Sequence, residues 1–184
     1  MKVNNWLSDS VATQFYSALG KSSDRQEVYA TARQTIPVEE MYDDILVPTD
    51  GSDGTEQTLE HAVEIARNHG ARLHALSVVD RRVYLAAEGE EREEVMAKLR
   101  GEAEDAIALV ENRLADADVA VTAEIVDGTP HKEILEYAED ADVDLIAIGT
   151  HGRTGRDRLE NLGSVTERVV EDADRTVLVV SIDE

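Results

Sequence analysis

The chain has 184 residues and a formal charge of −22 at pH 7, from 40 acidic and 18 basic residues. That length makes one domain, with room for an appendage and a sizeable core. The charge argues against nucleic acid or anionic membranes as general partners, because phosphates are held by clustered Lys and Arg.

Only four of the basic residues are Lys, the strongly hydrated cation. A surface rich in Asp and Glu suits a protein working in high salt, where screening removes self-repulsion. Stability in refolding is therefore expected to rise as KCl is added, and indifference to salt would refute a halophilic design. Without Cys there is no disulfide framework and no thiol chemistry. No apolar run approaches the roughly 18 residues of a membrane helix, and the first residues lack the apolar centre of a signal peptide, so the cytoplasm is the expected compartment.

Residues 1–40 carry five acidic and four basic residues, leaving a net −21 to residues 41–184. Trp6, Leu7, Val11, Phe15 and Leu19 fall on steps of one, three and four, which predicts a short amphipathic helix ending at Gly20, and Pro37 marks a break. Residues 1–40 read as an arm, partly helical or flexible, and residues 41–184 as the domain proper. Met41, just ahead of the first strand, is an alternative natural start that mass spectrometry of the native N-terminus would decide.

From Asp44 the pattern is regular. Ile45-Leu46-Val47 is a short buried strand running into the turn-rich loop Pro48 to Gly54, and a helix follows with Leu59, Ala62, Val63 and Ala66 on one face and Gly70 as its stop. Leu73 to Val79 is the second strand. A polar connection through Arg81, Arg82 and the Glu88 to Glu94 run leads to a long helix, whose Val95, Leu99, Ala103, Ala106, Ile107, Val110 and Leu114 form a core-facing stripe. Val119, Val121, Ala123 and Ile125 alternate with polar or small residues, the mark of a strand wet on one side and at a sheet edge. Asp127 to Pro130 turns the chain into a helix carrying Ile134, Leu135 and Ala138, with Pro130 suited to its first turn. Val143 to Ile148 is a strand buried on both faces. It ends in a glycine-rich stretch, Gly149 to Val165, and a helix with Val165, Val169 and Ala173 on one face. Thr176 to Ser181 is the last strand.

Strands alternating with helices argue for a parallel sheet covered on both faces, a three-layer α/β sandwich. With the strand at 119–125 at one edge, the right-handed crossover rule gives the five-stranded order 3-2-1-4-5. Ligands in such sheets sit where the chain reverses direction, beyond the carboxyl ends of strands 1 and 4. Asp50 and the glycines, about a hundred residues apart, are thereby placed side by side. Glycine amides and a helix start are what an anion needs. The last strand is apolar towards both faces yet lies at an edge, which predicts a homodimer through Thr176 to Ser181.

These residues resemble the universal stress protein family over about 41–184: Ile45 to Ser52 at the first strand, Val126 to Ile134, Asp144 to Gly152, and Gly163-Ser164-Val165 before the last helix. The ATP-binding branch has G-x-x-G, nine residues, then G-[S/T]; here Gly149 to Gly152 and Gly163-Ser164 match the two halves with ten residues between them. The resemblance implies the adenine nucleotide alpha hydrolase-like fold and ATP, with Mg²⁺ on its phosphates. It implies base and ribose contacts from Asp50, with Pro48 and Thr49 beside it, and from the Val78 backbone. It implies triphosphate contacts from Gly149, Gly152, Gly163, Ser164 and Val165, with Ile148 at the strand end. Carboxylates accept from an amino or hydroxyl group, and amides and Ser donate to phosphate.

Each of these residues also has a purely structural reading. Ser164-Val-Thr-Glu167 fits a capping box, Asp50 fits a turn, and Gly152 and Gly155 fit a tight loop. Arg153, Arg156 and Arg158 make a cationic patch suited to an anion, or pair with Asp157 and Glu160. His131 and His151 lack a second ligand at metal-binding spacing. The expected function is a dimeric, nucleotide-dependent stress-response factor with slow hydrolysis at most. The alternatives are a family member that binds no nucleotide, or an ATP-cleaving enzyme. Against the latter stand the lack of a Lys in the glycine loop and of an S-G-G-x-D-S loop after the first strand.

Overall fold

Five short strands run parallel in the computed structural model of the chain, which describes residues 41–150 and 162–182. They are β1 (Asp44–Pro48), β2 (Arg72–Asp80), β3 (Val121–Gly128), β4 (Leu145–Gly149) and β5 (Thr176–Val180), in the order β3-β2-β1-β4-β5. The helices are α1 (Asp53–His69), α2 (Arg81–Leu85), α3 (Gly89–Leu114), α4 (Pro130–Asp140) and α5 (Ser164–Asp172). The expectations for the arm helix, for Gly152 and Gly155, for Arg153, Arg156 and Arg158 and for His151 lie outside the described residues.

Two apolar clusters, one on each side of the sheet, make the three layers. Ile45, Val47, Leu73, Ala75, Leu145 and Ala147 pack with Leu59, Ala62 and Ala66 of α1 and Ile107, Val110 and Leu114 of α3. The alternate residues Leu46, Leu76, Ile146 and Ile148 pack with Ile134 and Ala138 of α4 and Val169 of α5. Burial on both faces is why β1 and β4 read as unbroken apolar runs. The strand order is the expected 3-2-1-4-5: β1 lies between β2 and β4, with Ile45 opposite Leu73 on one side and Leu145 on the other.

Between β2 and β3 the chain differs from its sequence reading in two places. The connection through Arg81 to Glu94 is largely helical, comprising α2 and the first turns of α3. Asp80 begins α2 by accepting the Arg82 backbone N–H, and Glu90 and Glu91 occupy the first turn of α3, where the helix dipole favours negative charge. Val95 and Leu99 sit in that half of α3 and are only partly buried, whereas Ala103, Ala106, Ile107, Val110 and Leu114 are core. The second difference is β3, which starts at Val121 and runs through Asp127 to Gly128, because its register with β2 continues to the Asp80–Gly128 pair. Its exposed Thr122 and Glu124 alternate with half-buried neighbours, as an edge strand should.

Polar side chains tie the amino ends of the strands. Asp144 accepts N–H bonds from Asp43 (2.8 Å) and Asp44 (3.1 Å), joining the start of β1 to the turn before β4. His74 is buried between Asp44 Oδ1 (2.7 Å) and the Tyr137 hydroxyl (2.9 Å). A ring protonated on Nε2 satisfies both, donating to the carboxylate and accepting from Tyr137. Burial pushes the Tyr137 phenol above its usual value, and the carboxylates of Glu124 and Asp44 add to this. Arg175 Nη1 donates to the Val143 carbonyl at 2.9 Å and to that of Ala138, anchoring the approach to β5.

Candidate functional site

The carboxyl ends of β1, β2 and β4 surround a cleft of about 490 Å³, at the point where the strand order reverses. It is lined from β1 by Pro48, Thr49 and Asp50, from β2 by Val78, from β4 by Ile148 and Gly149, and from the start of α5 by Gly163, Ser164 and Val165. Nine of the ten residues expected at the site are thus brought to one cavity, and the tenth, Gly152, lies outside the described residues.

The β1 loop is held by hydroxyls. Thr49 N–H extends the ladder to Leu76 O (2.8 Å), while Thr49 Oγ1 meets Thr55 Oγ1 at 3.1 Å and accepts from Gly51 N at 3.2 Å. Gly51 has φ of +73°, and a Cβ there would lie 3.2 Å from Ala106 Cβ, so the turn needs glycine and packs directly on α3. Asp50 is exposed, and its Oδ1 accepts the Ser52 N–H at 3.1 Å, so the turn role read for it is present.

On the opposite side, the chain passes from β4 to α5. Thr150 N–H bonds Val180 O at 2.9 Å, and Gly163 N–H bonds Thr150 O at 2.8 Å, which sets the start of α5 against the end of β4. Thr166 Oγ1 donates to Gly149 O at 2.8 Å and fastens the same junction. A Cβ on Gly149 would come within 3.2 Å of Ile182 Cδ1 and 3.3 Å of Thr58 Oγ1.

Ser164 does not cap α5. The N-cap is Gly163, whose carbonyl accepts the first intrahelical bond from Glu167 N–H at 2.9 Å, and no side chain caps it. The bond from Gly163 N–H to Thr150 fixes the extended residue one position earlier than the capping box requires, so Ser164 is the first helical residue and is exposed. The N–H groups of Ser164, Val165 and Thr166 have no partner within the helix, and all three residues line the cleft at the positive end of the helix dipole. Such a helix start suits an anion.

Several lining residues were not singled out in the sequence. Thr55, Thr58, Ser77 and Thr166 give buried hydroxyls, Val83 comes from α2, and Leu99, Glu102 and Ala103 come from α3. Their signal was partly there: Leu99 and Ala103 belong to the apolar stripe of α3. Asp80, like Asp50, is the carboxylate at a strand's end. Arg82 grips Asp80 through three side-chain bonds of 2.6 to 3.2 Å and holds its carboxyl below the usual range.

Among the described residues, the charged groups lining the cleft are Asp50, Asp80 and Glu102. No cluster of three His, Asp or Glu able to hold a metal occurs among them either. A larger groove of about 610 Å³ lies between α1 and the end of α3. Its arginines are committed, Arg113 to Glu56 and Arg67 to the Ala117 carbonyl, and Glu60, Glu64 and Asp116 face it, so it offers nothing to an anion.

His131, at the start of α4, is 9% exposed, and burial, followed by the charges of Arg168, Arg82 and Lys132, lowers its pKa from 6.5. The unfolded chain therefore binds the extra proton more readily, so His131 costs stability as pH falls through about 6.5 and not above it. His131→Gln is expected to lose less stability than the parent between pH 7 and pH 5, as urea midpoints will tell; parallel pH curves would refute this.

The model of the Universal stress protein family matches residues 41–181. A universal stress protein of Methanocaldococcus jannaschii is 38% identical over 143 residues, covering 77% of this chain and 84% of its own. The solved structure of the universal stress protein UspA from Lactobacillus plantarum is 33% identical with a TM-score of 0.66, covering 76% of this chain and 97% of that one. Two more distant proteins share the fold: a universal stress protein solved in complex with cAMP (23% identity, TM-score 0.56) and one from Archaeoglobus fulgidus solved in complex with dAMP (21%, 0.55). Their alignments cover 76% of this chain in both cases, and 97% and 98% of theirs. With a match that spans the whole sheet and every described element around the cleft, the chain belongs to the universal stress protein family.

Proposed function

We propose that the cleft binds an adenine nucleotide, ATP accompanied by Mg²⁺, and that the protein acts as a cytoplasmic, dimeric, nucleotide-dependent factor in the stress response. One observation carries this reading: the first-turn amides of α5, which have no partner within the helix, and the Asp50 loop, from distant parts of the chain, line the same cleft at the strand-order reversal. The amides and the Ser164 hydroxyl suit phosphate oxygens, and Asp50 suits a ribose hydroxyl or the amino group of the base. Proteins of the same fold that carry cAMP and dAMP support the choice of adenine. Mg²⁺ would neutralise phosphate charge that the described lining, with three carboxylates, does not. Residues 41–184 form the nucleotide-binding domain in this reading, with residues 1–40 as a separate arm.

Denaturing the purified protein and identifying released small molecules by mass spectrometry is the direct test. ATP or AMP in about stoichiometric amount is expected. No nucleotide, together with no heat on titrating ATP and Mg²⁺, would favour a family member with an unliganded cleft, the reading to which the ten-residue spacing between Gly152 and Gly163 leans. The dimer is proposed through β5, whose Val177, Leu178 and Val179 remain half-exposed and which pairs only with β4 among the described strands. A dimer by light scattering at micromolar concentration is expected, and a monomer would remove this part of the proposal.

A further inference from the structure

The cleft has two chemically different ends. At β4 and α5 it offers amide donors and the positive pole of a helix. Two strand positions away, across β1, lie β2 and α2, roughly 10 Å distant at about 4.8 Å per strand. There the lining contains Val78, Val83 and Leu99, together with the carboxylates of Asp80 and Glu102. The helix start suits phosphates and the apolar lining suits an uncharged ring, so an elongated anionic ligand would lie with its phosphates at α5 and its ring at α2.

Val83 is an unusual element of that end. It is 49% exposed, and α2, the helix that carries it, has no buried residue, so no core packing explains an apolar side chain there. What holds α2 is polar. Asp80 caps and pairs with Arg82 at its start, and the Tyr84 hydroxyl donates to Asp127 Oδ1 on β3 at 2.6 Å. The two pins stand on either side of Val83, which lines the cleft together with Leu99 of α3, also incompletely buried. Apolar surface left half-exposed inside a ligand cleft has free energy to gain when a flat ring covers it.

We propose that Val83 and Leu99 are the base-binding wall of the cleft and that Tyr84, through its bond to Asp127, is the residue that positions this wall. The assignment rests on the nucleotide reading above and adds to it the side chains that select a ring over a bare phosphate. Because α2 buries nothing, Val83→Ala leaves the core intact.

Titration calorimetry of the full chain with AMP and with ATP plus Mg²⁺ tests it. Val83→Ala and Leu99→Ala are each expected to weaken both ligands by the same factor, about tenfold, leaving the ATP-to-AMP affinity ratio unchanged. Tyr84→Phe should give the same pattern to a smaller degree, while Ser164→Ala should depress ATP more than AMP. Val83 and Leu99 variants that bind both ligands like the parent, or that lose ATP and AMP unequally, would overturn the base-wall assignment alone. A parent protein that binds neither ligand would overturn it together with the nucleotide reading.

Discussion

Gly149→Val is expected to weaken ATP binding about 10- to 100-fold and to destabilise the protein by about 1–3 kcal/mol, the usual cost of forcing extra carbon into a packed site. Even a single Cβ at this position would stand 3.2 Å from Ile182 Cδ1 and 3.3 Å from Thr58 Oγ1, and valine adds two more methyl groups. Thr58 is nearly fully buried and commits its hydroxyl to the Gly54 carbonyl, so it cannot swing aside without breaking that bond. The chain at Gly149 must therefore move. The Gly149 carbonyl also accepts the Thr166 hydroxyl, so the displacement reaches the first turn of α5 and its amides. Calorimetry with ATP and urea unfolding at one protein concentration check the two halves of this expectation. Unchanged affinity would show that the β4–α5 junction does not hold the ligand.

Ile146→Ala is expected to produce the larger loss of stability, about 3 kcal/mol within the range of roughly 2–5 for such truncations. Ile146 has no exposed surface and lies on β4 opposite Leu46 on one side and Val177 on the other. Its side chain belongs to the cluster under α4 and α5, where neighbours in a rigid sheet cannot collapse into the space left behind. Domains of this size are stable by roughly 5–15 kcal/mol, so a large share of the total would go. The measure is the shift in urea midpoint at constant slope. A change below about 1 kcal/mol would mean that the sheet centre repacks.

These two positions also show how much of the molecule its sequence made legible. The Ile146 strand was readable because a run apolar at every position has only one stable home, a sheet covered on both faces, and the alternation of strands and helices then restricts the order of that sheet. The edge strand was readable from Thr122 and Glu124, whose polarity marks the wet side. Local detail was harder. Arg81 to Glu94 is rich in charge and carries no helical apolar stripe, and only the capping carboxylate of Asp80 and the acidic first turn of α3 betray helices there. The Ser164 cap was misplaced by one residue because a tertiary bond, Gly163 to Thr150, decides where α5 begins. Val83, Leu99 and Glu102 stayed hidden as cleft residues for a similar reason. Their role depends on how α2 and α3 come together with the strand ends, a tertiary arrangement no periodicity encodes.

The side of β5 that no described strand covers has a geometric corollary. Two identical copies that close on each other edge to edge must obey two-fold symmetry, and a strand meeting its own copy that way runs antiparallel to it. The carboxyl ends of the two sheets then point to opposite poles, and each copy's ligand is carried away from the other's. Communication between the two bound nucleotides would have no shared wall to cross; it would have to pass along β4 and β5, from the Thr150–Val180 bond of one copy to that of the other.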